Sequence, residues 1–188
     1  MMKDTYHHGN LKQVLIEKGL EYIDKYGEES LSMRKLADSA GVSSAAPYAH
    51  FKNKEEYLDI VSEYITEKFC DALQSTIDSC KDPTRILLEL GKAYVLFFYE
   101  NPLYYKFLFT RGNIEVKEYR PFQLFERTVE GFFKNTVKRE MPAEILHAKM
   151  YALWSMVHGL SQLVTIPGVI DLNDIDGEVE RILSSVTV

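Results

Sequence analysis

Apolar residues recur every three or four positions along nearly the whole of this chain, and that spacing is what most narrows the folds open to it. Leu11, Val14, Leu15, Tyr22 and Ile23 begin the pattern. Tyr57, Leu58, Val61, Ile65, Phe69 and Leu73 continue it. Ile86, Leu87, Leu90, Tyr94, Phe97 and Phe98 form a further stretch, and Phe122, Phe125, Val129, Phe132, Phe133 and Val137 another. Such a period lays one face of an α-helix against a core. No run alternates apolar and polar residues as a strand would, so the expected class is all-α. The 10 Gly and 6 Pro in 188 residues are too few for a many-turned β architecture.

Punctuation divides the pattern into helices. Asn10 is a candidate N-cap for the first helix and Gly27 its stop. Ser30 or Ser32 can cap a short second helix through Met33, Leu36 and Ala37, which Gly41 ends. Ser43 or Ser44 can cap a third, and Lys54 opens a long one. Pro83 stands near the start of the next, which closes at Asn101-Pro102. A short segment then runs to Phe109 and breaks at Arg111-Gly112-Asn113. Met141-Pro142 begins a long helix reaching Thr165, before Pro167-Gly168, and Leu172, Ile175, Val179, Ile182 and Val186 mark the last.

The net charge of -6, taken whole, speaks against a nucleic-acid partner. Its distribution does not. Residues 1–55 hold eight Lys/Arg and eight Asp/Glu together with His7, His8 and His50, whereas residues 56–188 hold 14 and 20. That asymmetry suggests two modules with two roles, divided as 1–55 and 56–188. Cys70 and Cys80 read as cytosolic thiols. The start, Met1 to Tyr6, has no apolar signal region, and the run Ala93 to Tyr99 is far too short to span a bilayer. A cytoplasmic protein without a membrane partner is expected.

Residues 31–51 have the spacing of a helix-turn-helix: a short helix, a tight turn at Gly41, and a second short helix. Ala37 is small where two helices must cross, Gly41 can take a positive φ, and Val42 fills the angle between the helices. With Ser44 as N-cap, Pro47 falls in the first turn, where its missing N–H costs nothing. Leu36 and Phe51 are core residues by this reading.

The ordered set Tyr48-Ala49-His50-Phe51-Lys52-Asn53-Lys54-Glu55, preceded by that turn, resembles the DNA-binding domain of TetR-family transcription regulators. The likeness covers residues 6–58, and the opening Tyr6-His7-His8-Gly9-Asn10-Leu11-Lys12 resembles the start of one branch. Trp154-Ser155-Met156-Val157-His158-Gly159 resembles that branch's ligand-binding signature. The resemblance implies that Ser32, Met33 and Arg34 brace the recognition helix and touch phosphate, and that Ser43, Ser44, Ala45 and Ala46 face the bases. It implies phosphate contacts for Tyr48, His50 and Lys54, the last at a helix N-terminus. Lys12 and Lys52 can also be turned toward phosphate. Ala45, Ala46 and Ala49 depart from residues common in the family, so base readout is expected to use thymine methyl contacts and DNA shape.

Residues 94–133 hold 13 of the chain's 23 aromatic residues. Tyr94, Phe97, Phe98, Tyr104, Phe107, Phe122 and Phe125, with Trp154 and His158, are therefore candidate walls of an effector cavity; a tightly packed core is the alternative. Ala148, Ala152, Ser155 and Gly159 form a small-residue stripe beside a polar-aromatic one. With Ile175, Val179, Ile182 and Val186 they are candidates for a two-fold, four-helix dimer interface. No second His or carboxylate stands at metal spacing from His158, so neither metal nor cofactor is expected. The acids from Asp171 to Glu180 lack a calcium-loop pattern and suit a helix N-terminus.

The expected function is a ligand-released repressor acting as a homodimer on a palindromic double-stranded DNA operator, with a small apolar or aromatic effector. A small helical enzyme or apolar-ligand carrier is the competing reading, its N-terminal unit purely structural. It lacks a catalytic pair: neither His147 nor His158 has a visible nucleophile partner, and no phosphate loop or zinc-protease pattern occurs. An architectural DNA-binding protein without an effector is a third.

Overall fold

The computed structural model describes residues 11–111, 118–136, 141–166 and 168–186, without the side chain of Thr110. The cap at Asn10, the opening from Tyr6 to Asn10, Gly112-Asn113, Val137 and Pro167 lie outside those residues. The helices are α1 (Leu11–Tyr26), α2 (Met33–Ser39), α3 (Lys54–Ser79), α4 (Ile86–Glu100), α5 (Pro102–Thr110), α6 (Arg120–Thr136), α7 (Ala143–Leu163) and α8 (Ile175–Val186). Single 3-10 turns occupy Glu28–Ser30, Ala46–Ala49 and Pro83–Arg85. Among the described residues there is no strand, and the class is all-α.

Two compact units divide the chain. The first takes in α1, α2, α3 as far as Ile65, and Leu103–Arg111. The second takes in Thr66–Pro102 and the described residues from Glu118 onward. Helix α3 is continuous through both.

In the first unit Leu15, Ile16, Leu20, Leu36, Ala37, Phe51, Tyr57 and Val61 are all buried. Gly27 ends α1 with φ 80 and ψ 152, a conformation open essentially to glycine alone. Gly19 permits the closest approach in this core. A Cβ there would lie 1.7 Å from the Tyr57 hydroxyl, which donates to the carbonyls of Leu15 (3.2 Å) and Ile16 (3.3 Å).

In the second unit α4 packs against α6, α7 and α8, and α6 against α7. Gly91 lets them cross closely, since a Cβ there would meet Leu183 at 3.1 Å and Val157 at 3.3 Å. Asp82 caps the turn into α4 through the Thr84 N–H (2.9 Å). Asp174 accepts from the Gly177 N–H (3.1 Å) at the start of α8, with Asp176 and Glu178 in that helix's first turn. The acidic stretch therefore does serve a helix N-terminus. Leu172 precedes α8 rather than joining it. Lys92 holds Asp176 (3.0 Å) and Glu180 (2.7 Å), and Arg85 holds Glu180 (2.7 Å) and Glu89 (2.9 Å), so α8 is clasped to α4 along one edge.

Candidate nucleic-acid interface

Ser32, not Ser30, caps α2: its Oγ accepts from the Lys35 N–H at 3.3 Å, while Ser30 Oγ donates back to Gly27 O at 2.9 Å. At the other end Gly41 takes φ 67, its N–H bonds Asp38 O at 3.2 Å, and the Val42 N–H bonds Ala37 O at 3.0 Å. Those two bonds are a Schellman close, and they swing the chain from α2 into the next element.

That element differs from the expected α-helix. It is the 3-10 turn Ala46–Ala49, preceded by Ala45, and neither Ser43 nor Ser44 caps it with a side chain. Pro47 lies in its first turn, where proline's missing N–H costs nothing. The bonds here are the shorter ones, Ala46 N–H to Ser43 O (2.9 Å) and Tyr48 N–H to Ala45 O (3.2 Å). Pro47 is buried, and Phe51 sits edge-on to Tyr57 with ring centroids 5.0 Å apart, anchoring the turn.

The anchored turn leaves Ser43, Ser44 and Ala45 exposed, Ala46 half-buried, and Tyr48 59% exposed. Lys12, Ser32 and Arg34 are exposed as well. Lys52 is exposed and pairs with Glu56 at 3.2 Å; His50 is half-buried. Lys54 is drawn inward, its Nζ donating to Glu28 O at 2.7 Å. Met33 corrects the expectation. It is 7% exposed on the face that α2 shares with Leu36 and Ala37, so its side chain belongs to the core, and only its backbone at the start of α2 is left to meet phosphate.

Two contributors escaped the sequence reading. Asn53 Oδ1 accepts from the Glu56 N–H at 2.8 Å, and the Glu56 carboxylate accepts from the Lys52 N–H. This is a capping box for α3, legible in Asn53-x-x-Glu56. The Lys52 backbone bond, with the Lys52 ammonium, holds the Glu56 carboxyl below its usual range. Lys35 is the other: exposed beside Arg34, it donates to Ser30 O at 2.8 Å and lies over the Tyr22 ring.

In the second unit the aromatic candidates gather around two rings. Phe69 meets Tyr94 at 5.0 Å, Phe97 at 4.9 Å and Phe98 at 4.6 Å. Trp154 meets Tyr94 at 5.4 Å, Phe122 at 4.9 Å and Phe125 at 5.6 Å. The Tyr94 hydroxyl and His158 Nδ1 are 3.1 Å apart, and burial lowers the His158 pKa, favouring the neutral ring. Tyr94, Phe98, Phe122 and Phe125 are buried; Phe97, Trp154 and His158 are half-buried. Tyr104 and Phe107 group with the first unit. The chain turns at Asn101-Pro102 and places both in the first unit, where Tyr104 donates to Glu17 (2.7 Å) and Phe107 lies under Arg111 (4.9 Å).

Of the candidate dimer residues, Ala148, Ala152, Ser155 and Val186 are exposed, and Gly159, Ile175 and Ile182 half-buried. Val179 is fully buried, because the α8 face that carries it and Leu183 packs onto the second unit's own core, and so it is unavailable to a partner. Among the described residues no group of three or more His, Cys, Asp or Glu could hold a metal ion. No described helix is long and apolar enough to cross a membrane, and neither Cys70 nor Cys80 is in a disulfide.

Known families match both parts of this arrangement. The model described as bacterial regulatory proteins, tetR family, matches residues 15–59, and the one described as tetracyclin repressor-like, C-terminal domain, matches residues 87–186. The chain belongs to the TetR family. This TetR-family chain is 40% identical over 52 residues to the class C tetracycline repressor protein of Escherichia coli, covering 28% of itself and 24% of that relative. It is 30% identical over 94 residues to the nucleoid occlusion factor SlmA of Escherichia coli, covering 47% and 48%. The chain thus spans about a quarter to a half of the length of these curated relatives. The solved structure of a fatty acid degradation regulator from Bacillus halodurans shares the fold at a TM-score of 0.67 and 15% identity, over 97% of this chain and 96% of that one.

Proposed function

We propose that this protein is a ligand-released transcriptional repressor that binds a palindromic DNA operator as a homodimer, with residues 1–55 reading DNA and residues 56–188 binding effector and partner. The observation that carries the reading is the turn at Pro47. Buried Pro47 and Phe51 hold it from behind, while Ser43, Ser44, Ala45 and Tyr48 stand in solvent with Arg34 and Lys52 exposed nearby in the sequence. Small side chains let the backbone enter a major groove, and the Ala45 and Ala46 methyls suit thymine. Half-buried Trp154 and His158 beside Tyr94 offer an apolar, uncharged surface with one hydrogen-bonding corner, which favours a neutral apolar or aromatic effector. An effector that prefers one arrangement of the surrounding helices shifts the unbroken α3 and moves the half-site spacing. The exposed α7 stripe Ala148, Ala152 and Ser155, with Ile145 and Leu163 on the same helix, supports the homodimer.

Selecting bound duplexes from a random pool and then screening metabolites for release tests this. A palindromic site, lost with Ser44→Trp and Tyr48→Ala in folded protein, is the expected result. Wild-type affinity in both variants overturns it. The competing reading is an architectural DNA-binding protein without an effector. Under that reading no metabolite changes DNA affinity.

A further inference from the structure

Helix α5 lies outside the residues matched to the amino-terminal family model, yet it groups with the first unit, and its donors meet that unit's carboxylates. Tyr104 donates to Glu17 at 2.7 Å, Lys106 pairs with Asp24 at 2.5 Å, and Arg111 Nε stands 2.8 Å from Glu28. The three contacts are not equal. Lys106 and Asp24 are 59% and 40% exposed, where an ion pair contributes little. Arg111 is only 19% exposed and Glu28 29%. The Arg111 guanidinium also lies over the Phe107 ring at 4.9 Å and reaches Leu58 O and Ser62 Oγ on α3 at 3.5 and 3.4 Å.

Glu28 opens the 3-10 turn that joins α1 to α2. Within itself that turn is held by short bonds alone, Ser30 to Gly27 O and Leu31 to Glu28 O. Three outside groups grip it. Lys54, the first residue of α3, takes the Glu28 carbonyl at 2.7 Å, Arg111 takes the Glu28 carboxylate, and Lys35 takes the Ser30 carbonyl at 2.8 Å. Two residues beyond the turn stands Ser32, the α2 cap, and next but one Arg34.

We propose that Arg111 is a positioning residue for DNA binding: through the Glu28 carboxylate it fixes the turn that aims Ser32 and Arg34, without touching DNA itself. This rests on the reading of the chain as a DNA-binding protein. Removing the guanidinium leaves a half-buried carboxylate unpaired and frees the turn from one of its three grips, the only one on the Glu28 side chain among the described residues.

The test uses the full chain and a duplex selected by the wild type, with affinity measured across a salt series. Arg111→Gln is expected to weaken binding by roughly five- to tenfold while leaving the slope of log affinity against log salt unchanged. Arg34→Ala, in contrast, reduces that slope by about 1. Glu28→Gln reproduces the loss with Arg111 in place, and the double variant loses no more than either single one. Heat melts establish that each variant is folded at the working temperature, and Glu28→Gln carries the test if Arg111→Gln is not. Unchanged affinity, a slope that falls as it does for Arg34→Ala, or additive losses each overturn the proposal. If the wild-type chain selects no duplex, the DNA-binding reading itself fails.

Discussion

Gly19 and Met33 show how much one position decides. At Gly19 an added methyl would overlap the Tyr57 hydroxyl and stand 2.6 Å from Cζ of the same ring, which is fully buried. Tyr57 cannot retreat without giving up its bonds to α1. Gly19→Ala should therefore cost about 2–3 kcal/mol of stability, read from urea unfolding; a variant as stable as the wild type would contradict this packing. Met33 and its neighbour Arg34 should separate two effects. Met33→Ala empties a core site and should cost about 2–4 kcal/mol, with DNA affinity retained in the folded fraction. Arg34→Ala should leave the urea midpoint in place and weaken DNA binding in a salt-dependent way. The spacing of Met33, Leu36 and Ala37 already put Met33 on the buried face.

At the scale of elements, chain punctuation was well marked. Gly27, Gly41, Pro83 and Asp174 each stand where a helix stops or starts, because backbone conformation and capping are local matters. The element after the turn was legible as a short helix but not as a 3-10 turn, since a first-turn proline fits both. The docking of α8 on α4 was not legible, as Lys92 and Arg85 lie far from Glu180 in sequence. Those two cations, Lys92 first, hold the Glu180 carboxyl down to about 2 from its usual 4.5. A depressed carboxyl stabilises the fold at pH above its ordinary value and loses that contribution as pH falls from 4.5 toward 2. Melting temperature followed against pH should drop across that window in the wild type and drop less in Glu180→Gln. His158 has the same sign at higher pH. Its lowered pKa means that stability is complete above about 6.5 and declines as protonation sets in below it. Replacing His158 with Gln should flatten that decline.

For the whole molecule, the proposed homodimer must bring two DNA-reading turns to two half-sites. One exposed stripe of α7, through Ala148, Ala152 and Ser155, is small, with Ile145 50% and Leu163 43% exposed at its ends. Ala152→Glu places a charge in the middle of that face without touching the core. It should turn the dimer into a monomer in sedimentation equilibrium, keep the helical circular dichroism, and lose the cooperative binding of a palindrome. A dimer of undiminished affinity would place the partner surface elsewhere. The inward face of α8 cannot substitute, because Val179 and Leu183 are spent within the chain.

The sequence by itself determined the all-α class, most helix ends, the helix-turn-helix and the split of charge along the chain. Each follows from residues close together, where period, caps and turns act. Tertiary structure alone decided which unit takes α5, that Tyr104 meets Glu17 and Phe107 meets Arg111, and that Phe69 enters the aromatic cluster. It also decided that Lys54 and Arg111 both hold the turn at Glu28. These contacts join residues distant along the chain. Their pairing depends on how helix faces meet once the helices pack, and no local pattern encodes that.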